Sequence, residues 1–400
     1  MIDFKVEKIE NLSPKGIGIN GSTLPINGVK RSTLTTRNGK IILPVKAVNR
    51  NDLNAKDNIP EIRSIADGSS VFTYEEYFDY VNLREFLNSN EQNSRLLERV
   101  QSAFAKMQYS NLRIFQPSIT KNTMRKLYRN PIRAKEFLER MVEIQNLLDC
   151  EIISLPVIVP LDALPGRSLK ILNFTMNEID LGNRQLMPII DMGYEDNRTF
   201  TEIIGKFASS SNNLSPILML KHKKFKSKYV NYLSLRSFVN DPSFAVFYSS
   251  IDSRGYDDFF SETHSSEFLW GDLFSYRFKQ GGGSKQTTEP KARDFEFYLR
   301  SLQVKSIYSI LGDKESIEDP FRSIYSERLT KLINENKINT IDQATVSAFS
   351  RLQEHSISND ELKKSNEFLN TSDAKDYVES KPKLKEHITR LNNEATSGRY

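Results

Sequence analysis

Apolar and polar positions alternate in short runs over the first fifty residues. FKVEKIEN (4–11) steps with a period of two, which predicts a strand with one covered face. Turn chemistry follows at Asn11, Ser13, Pro14, Lys15 and Gly16 and at Asn20–Gly21, and Asn27–Gly28 and Asn38–Gly39 read as hairpin turns. KIILPVKAV (40–48) reads as a short buried strand, and residues 51–70 are polar and irregular. From Tyr74 to Lys106 the apolar positions fall three and four apart (Tyr77, Phe78, Val81, Phe86, Leu96, Leu97, Val100, Phe104), which predicts helix.

An alternation of two patterns then begins. Short apolar runs stand at LRIFQPSI (112–119), EIISLPVIVPL (151–161), QLMPIID (185–191), SPILML (215–220), SFAVFYSSI (243–251) and GDLF (271–274). Helical patterns separate them, over 123–148, 168–181, 199–209 and 229–239. Strands buried on both faces and spaced by helices predict a parallel sheet. The expected fold is α/β: a (β/α)8 TIM-like barrel with an N-terminal β-rich segment and a C-terminal helical extension. An open doubly wound sheet is the alternative. No G-x-G-x-x-G or P-loop follows a strand, which counts against the nucleotide-binding α/β folds.

Gly281–Gly282–Gly283–Ser284 and the polar run to Pro290 read as a flexible loop. The expected units are a barrel over 1–290, a helical continuation over 291–352 (Phe295, Phe297, Leu299, Leu302, then Tyr325, Leu329, Leu332, Ile333), and a polar helical or partly ordered tail over 353–400, expected to be exposed.

Composition narrows the chemistry. In 400 residues there are 24 Phe and 16 Tyr, too many aromatics for a disordered chain. No apolar run is long enough for a membrane span, and the N-terminus lacks a signal-peptide core, so a cytoplasmic protein is expected. One cysteine, Cys150, excludes an intramolecular disulfide and a Cys-based zinc site, and it reads as buried and structural. Four scattered histidines offer little for a metal, so no metal and no cofactor are expected. The balance of 56 basic against 51 acidic residues, net +5, is mild, but its distribution is not. Lys221, Lys223, Lys224, Lys226 and Lys228 crowd eight residues, with His222, Phe225 and Tyr229 between them. That stretch is a solvated face or a phosphate-binding segment.

In a barrel, working residues stand at the C-terminal ends of the strands. Those ends carry Gln116, Asp162, Asp191, Lys221, Asp252 and Asp272. Each Asp on its own can simply cap a helix. As a set, paired carboxylates suit chemistry at a glycosidic carbon, or recognition of a purine edge through its N–H groups.

Several stretches resemble the tRNA-guanine transglycosylase superfamily, particularly its divergent archaeal and phage-associated branches. These are FKVEKIEN with TLTTRNGKIILPVKAV, AKEFLERMVEIQNLLDCEIISLPVIVPLD, MPIIDMGYEDNR, and WGDLFSYRFKQGGG, in patches over about residues 1–290. The resemblance implies the barrel and exchange of a purine for a 7-deazapurine in tRNA or DNA through a carboxylate nucleophile. It implies Asp272 and Asp252 as catalytic candidates. It implies Asp191, Met192 and Gly193 around the base, where the strand-end residues Gln116 and Asp162 would join them, and the crowded lysines Lys221, Lys223, Lys224, Lys226 and Lys228 would then meet nucleic acid. The family's D-S-G-G-F-Q motif has no Asp counterpart at RIFQPSIT, Ser275 stands where its nucleophilic Asp falls, and its zinc ligands have none. A catalytically silent nucleic-acid-binding or scaffold subunit, in a homo- or hetero-oligomer, is therefore the second expectation. A barrel hydrolase or lyase acting on a small anion is the third.

Overall fold

The first five strands are β1 (Asp3–Asn11), β2 (Gly16–Ile19), β3 (Ser22–Pro25), β4 (Gly28–Thr36) and β5 (Gly39–Leu43). Strands β1, β4 and β5 form an antiparallel sheet in that order, and β2–β3 form a separate hairpin. The β4–β5 turn needs glycine at position 39. Its φ is +139°, and a Cβ there would lie 2.5 Å from Asn111 Nδ2. The computed structural model describes residues 1–11, 16–19, 22–25, 28–50, 69–163, 178–194, 197–209, 213–221, 244–251, 271–276, 296–298, 304–306, 355, 357–369, 374–386 and 388–389.

Nine further strands run parallel: β6 (Val45–Lys46), β7 (Val48–Asn49), β8 (Val71–Phe78), β9 (Leu112–Ile119), β10 (Ile152–Pro156), β11 (Gln185–Asp191), β12 (Ile217–Lys221), β13 (Ala245–Ile251) and β14 (Leu273–Tyr276). They make a six-stranded sheet, β10-β11-β12-β13-β14-β6, and a three-stranded sheet, β7-β8-β9. Only Ala47 separates β6 from β7, and its N–H donates to Phe274 O at 2.8 Å. Among the described residues, helices fill three of the connections: α1 (Tyr80–Asn88) and α2 (Asn90–Lys106) between β8 and β9, α3 (Lys121–Arg129) and α4 (Pro131–Leu147) between β9 and β10, and α5 (Asn197–Ser209) between β11 and β12. The fold is thus mixed α/β with parallel sheets.

Two apolar clusters explain the unbroken hydrophobic runs. Leu112, Ile114, Met187, Ile189, Ile217, Met219, Phe247 and Leu273, from both parallel sheets, share one cluster with Ile2, Leu34 and Ile41 of the N-terminal sheet. Alternate residues of the same strands, such as Phe72, Phe115, Ile153, Leu218 and Val246, pack with Leu83, Phe86, Phe104 and Phe137 of the helices. Both faces are covered, so period-two polarity is lost. The N-terminal sheet lies across the N-terminal ends of the parallel strands. Its residues reach Gln185 (from Ile2 N, 2.8 Å), Phe244 O (from Lys30 Nζ, 2.8 Å) and Asn111 O (from Thr36 Oγ1, 3.0 Å).

Four expectations change. Residues 74–78 are strand, not helix, because VFTYEEYF is an aromatic-rich run buried on both faces. KIILPVKAV is not one strand: it breaks at Pro44 into β5 and the parallel pair β6 and β7. The helix expected over 123–148 is two helices, divided where Asn130 caps the second and Pro131 opens it. Within 291–352, read as helical, the described residues form two short antiparallel strands, β15 (Glu296–Tyr298) and β16 (Val304–Ser306). Phe295, Phe297 and Leu299 are two apart, a strand period. The helix expected over 229–239, most of that over 168–181, and the glycine loop lie outside the described residues.

The described C-terminal residues are helical, and one face of them is buried rather than exposed. Helical residues 357–369 bury Ile357, Leu362 and Leu369, and α6 (Ala374–Glu379) buries Tyr377. Asn359 Oδ1 accepts from Lys46 N at 2.9 Å, and Asn366 Nδ2 donates to Leu43 O at 3.1 Å, tying this stretch to the start of the parallel sheet. Its apolar residues are few but fall on one face, and lysines elsewhere on the surface masked that in the composition. Among the described residues no helix is long and apolar enough to cross a membrane.

Candidate functional site

On the shared inner face the strands change character toward their C-terminal ends. Strand β8 reads Val71, Thr73, Glu75, Tyr77 at alternate positions, and β9 reads Leu112, Ile114, Gln116, Ser118. Strand β12 reads Ile217, Met219, Lys221, and β13 reads Ala245, Phe247, Ser249. Register aligns Glu75 with Gln116, and Asp191 with Lys221 with Ser249. Parallel pairing therefore stacks an apolar layer beneath a polar one.

The polar layer is bonded together. Glu75 Oε1 accepts from Ser118 Oγ at 2.7 Å and from Gln116 Nε2 at 3.2 Å, and it lies 3.7 Å from Lys221 Nζ. Gln116 Nε2 also reaches Ser249 Oγ at 3.3 Å, which links the two parallel sheets. Lys221 Nζ lies 4.8 Å from the centroid of the Tyr77 ring. All five polar residues are buried, Lys221 least so at 9% exposed. A carboxylate and an ammonium removed from water are tolerated only with this kind of pairing and hydrogen bonding.

The expected residues divide by location. Gln116 lies at the centre of the layer. Lys221, expected among phosphate-binding lysines, turns its ammonium into the layer. Asp191 stands half-buried at the end of β11, and its Oδ1 accepts from Gly193 N at 2.7 Å. A Cβ at Gly193 would lie 2.9 Å from that oxygen, so glycine permits the tight turn. Met192 is buried, with its N–H committed to Lys221 O at 3.0 Å. Asp162 is away from the layer, ion-paired on the surface with Arg125 at 2.7 Å, whose hydrogen bond holds its carboxyl below the usual range.

Asp272 is at the other end. It precedes β14, is fully buried, and sits 2.8 Å from Lys30 Nζ, with Ser32 Oγ and Val246 N also donating to it. Burial pushes its carboxyl above the ordinary range, against the pull of Lys30. Ser275 is buried on β14. Cys150 is buried, its thiol pushed up to about 12 by desolvation. Asp252, Lys223, Lys224, Lys226 and Lys228 lie outside the described residues.

Glu75, Tyr77, Ser118 and Ser249 were not expected. The signal was available in TYEEYF, where a carboxylate alternates with apolar residues, but it reads as a site only once β8 is a strand. Among the described residues no cluster of three or more His, Cys, Asp or Glu could hold a metal. These features define a mixed α/β protein with a buried acid–base–amide layer at the C-terminal ends of parallel strands. No protein-family model matches the chain, and no curated protein matches it.

Proposed function

We propose that the nine parallel segments act as eight staves of a closed (β/α)8 barrel, with β6 and β7 sharing one stave. Strand β14 pairs with β6 and β7 pairs with β8, so the two sheets meet at Ala47. At the other seam the Ser154 hydroxyl of β10 donates to Phe115 O of β9. Neighbours follow chain order throughout, as in that barrel.

On this barrel we infer a purine-exchanging transglycosylase acting on nucleic acid, with Glu75 rather than Asp272 as nucleophile. The observation that carries this is the buried Glu75–Lys221–Gln116 layer at the strand ends, where barrels do their chemistry. Glu75 attacks the anomeric carbon as the C–N bond to the base breaks and its electron pair leaves with the base. The incoming 7-deazapurine then displaces Glu75, and its ring proton passes through water to the departed purine anion, so the exchange is proton-neutral. Asp191 and Gln116 hold the base edge, and Lys223, Lys224, Lys226 and Lys228 of the sequence supply charge for the phosphates. The silent-subunit reading is favoured by one observation: Glu75 Oε1 already faces Gln116, Ser118 and Lys221.

Incubation with tRNA or duplex DNA and labelled guanine or 7-deazaguanine separates the two. The wild type should incorporate label, and Glu75→Gln should lose on the order of a thousandfold in rate with nucleic-acid affinity nearly unchanged. Binding without incorporation would select the silent subunit. Absence of both would remove nucleic acid as the partner.

A further inference from the structure

A second cleft lies at the opposite end of the molecule, between the N-terminal sheet and helical residues 357–369. Its volume is about 480 Å³, within the range of small-ligand sites. Three cations line it, Arg31, Lys40 and Lys363, against one carboxylate, Glu367. Arg31 is engaged by Glu7 at 3.0 Å. Among the described residues neither Lys40 nor Lys363 has an ion-pair partner.

The floor holds the stronger clue. Asn366 is 8% exposed and lines the cleft, and its Nδ2 is committed to Leu43 O at 3.1 Å. With the amide thus oriented, Oδ1 is buried and accepts no hydrogen bond among the described residues. A buried amide oxygen without a donor is destabilising, and a ligand N–H would satisfy it. Ile42 and Pro44 add an apolar wall beside it.

We propose that this cleft binds a nucleoside monophosphate. The phosphate lies against Lys40 and Lys363, the flat base packs on Ile42 and Pro44, and an exocyclic amine of the base donates to Asn366 Oδ1. Each demand on the ligand matches one observation: two free ammonium groups, an apolar face, and a buried acceptor needing a donor. The site is independent of the barrel chemistry, since it stands at the N-terminal rather than the C-terminal ends of the strands.

Calorimetric titration of the full chain with AMP, adenosine and inorganic phosphate tests this. AMP should bind, and adenosine and inorganic phosphate should each bind roughly tenfold or more weakly by comparison. Lys40→Ala combined with Lys363→Ala, both exposed and remote from the core, should weaken AMP about tenfold or more, and Asn366→Ala should weaken it further. Glu75→Gln should leave AMP affinity unchanged, so failure here and failure of the transglycosylase reading are separate results. No heat with AMP, or AMP binding indifferent to the lysine pair, would overturn the site. Inorganic phosphate binding as tightly as AMP would overturn the nucleotide assignment.

Discussion

Asp272 shows how a residue's environment decides its work. In sequence it is an acidic residue beside a strand. In the fold it is sealed between two sheets, with Lys30 bridging from it to Phe244 O and Ser32 donating from the same strand, β4. Its role is to fasten the N-terminal sheet to the parallel one. Removing Lys30 alone would leave a buried carboxylate without its counter-charge. Lys30→Ala should therefore lose about 3–5 kcal/mol in urea unfolding. Lys30→Met with Asp272→Leu should regain most of that, because an apolar pair of similar size carries no desolvation penalty. A loss below about 1 kcal/mol in the single variant would mean that the pair is not what joins the sheets.

At the scale of elements, the C-terminal helical stretch is a structural part of the parallel core. Leu362 belongs to the outer apolar cluster, and Asn359 and Asn366 bond to the backbone at Lys46 and Leu43. Glu361 is buried among Lys364, Lys381 and the Tyr377 hydroxyl, which binds the stretch to α6. Burying Leu362, Leu369 and Tyr377 each contributes about 1.5–3 kcal/mol, comparable together to the whole stability of an ordinary domain. A chain ending at Gln353 should lose cooperative thermal unfolding or fail to accumulate as soluble protein. A truncated chain melting within a few degrees of the full one would show that the docking adds nothing. The same scale explains the misread strand. TYEEYF contains two glutamates and three- and four-residue apolar spacings, so local pattern favoured helix. Only pairing with β7 on one side and β9 on the other makes it a central strand.

For the whole molecule, the buried groups set the response to acid. Burial, with Lys46 nearby, holds His355 well below the usual histidine range. The folded state resists the proton that the unfolded chain accepts, so stability is full above pH 6.5 and falls as pH drops below it. Burial would raise Glu361, but Lys381 and Lys364 outweigh it and leave it lowered, so its contribution is lost below about pH 4.5. Asp272, raised by burial, has the opposite sign: it favours folding in acid and less so above its ordinary 3.8. The melting temperature should fall between pH 7.5 and 5.5, and His355→Leu should flatten that slope. An unchanged slope would assign the transition to another group. The sequence by itself determined six of the parallel strands and the helices in two of the connections between them, because runs covered on both faces and capped helices are local facts. It determined too that Asp191 ends a strand, whereas Gln116 lies inside β9, three residues short of its end. Tertiary structure decided the rest. Whether a carboxylate is a site or a fastener depends on which end of the sheet it occupies and on what faces it from distant strands. Glu75 meets Lys221 across 146 residues, and Asp272 meets Lys30 across 242, separations that no local pattern encodes.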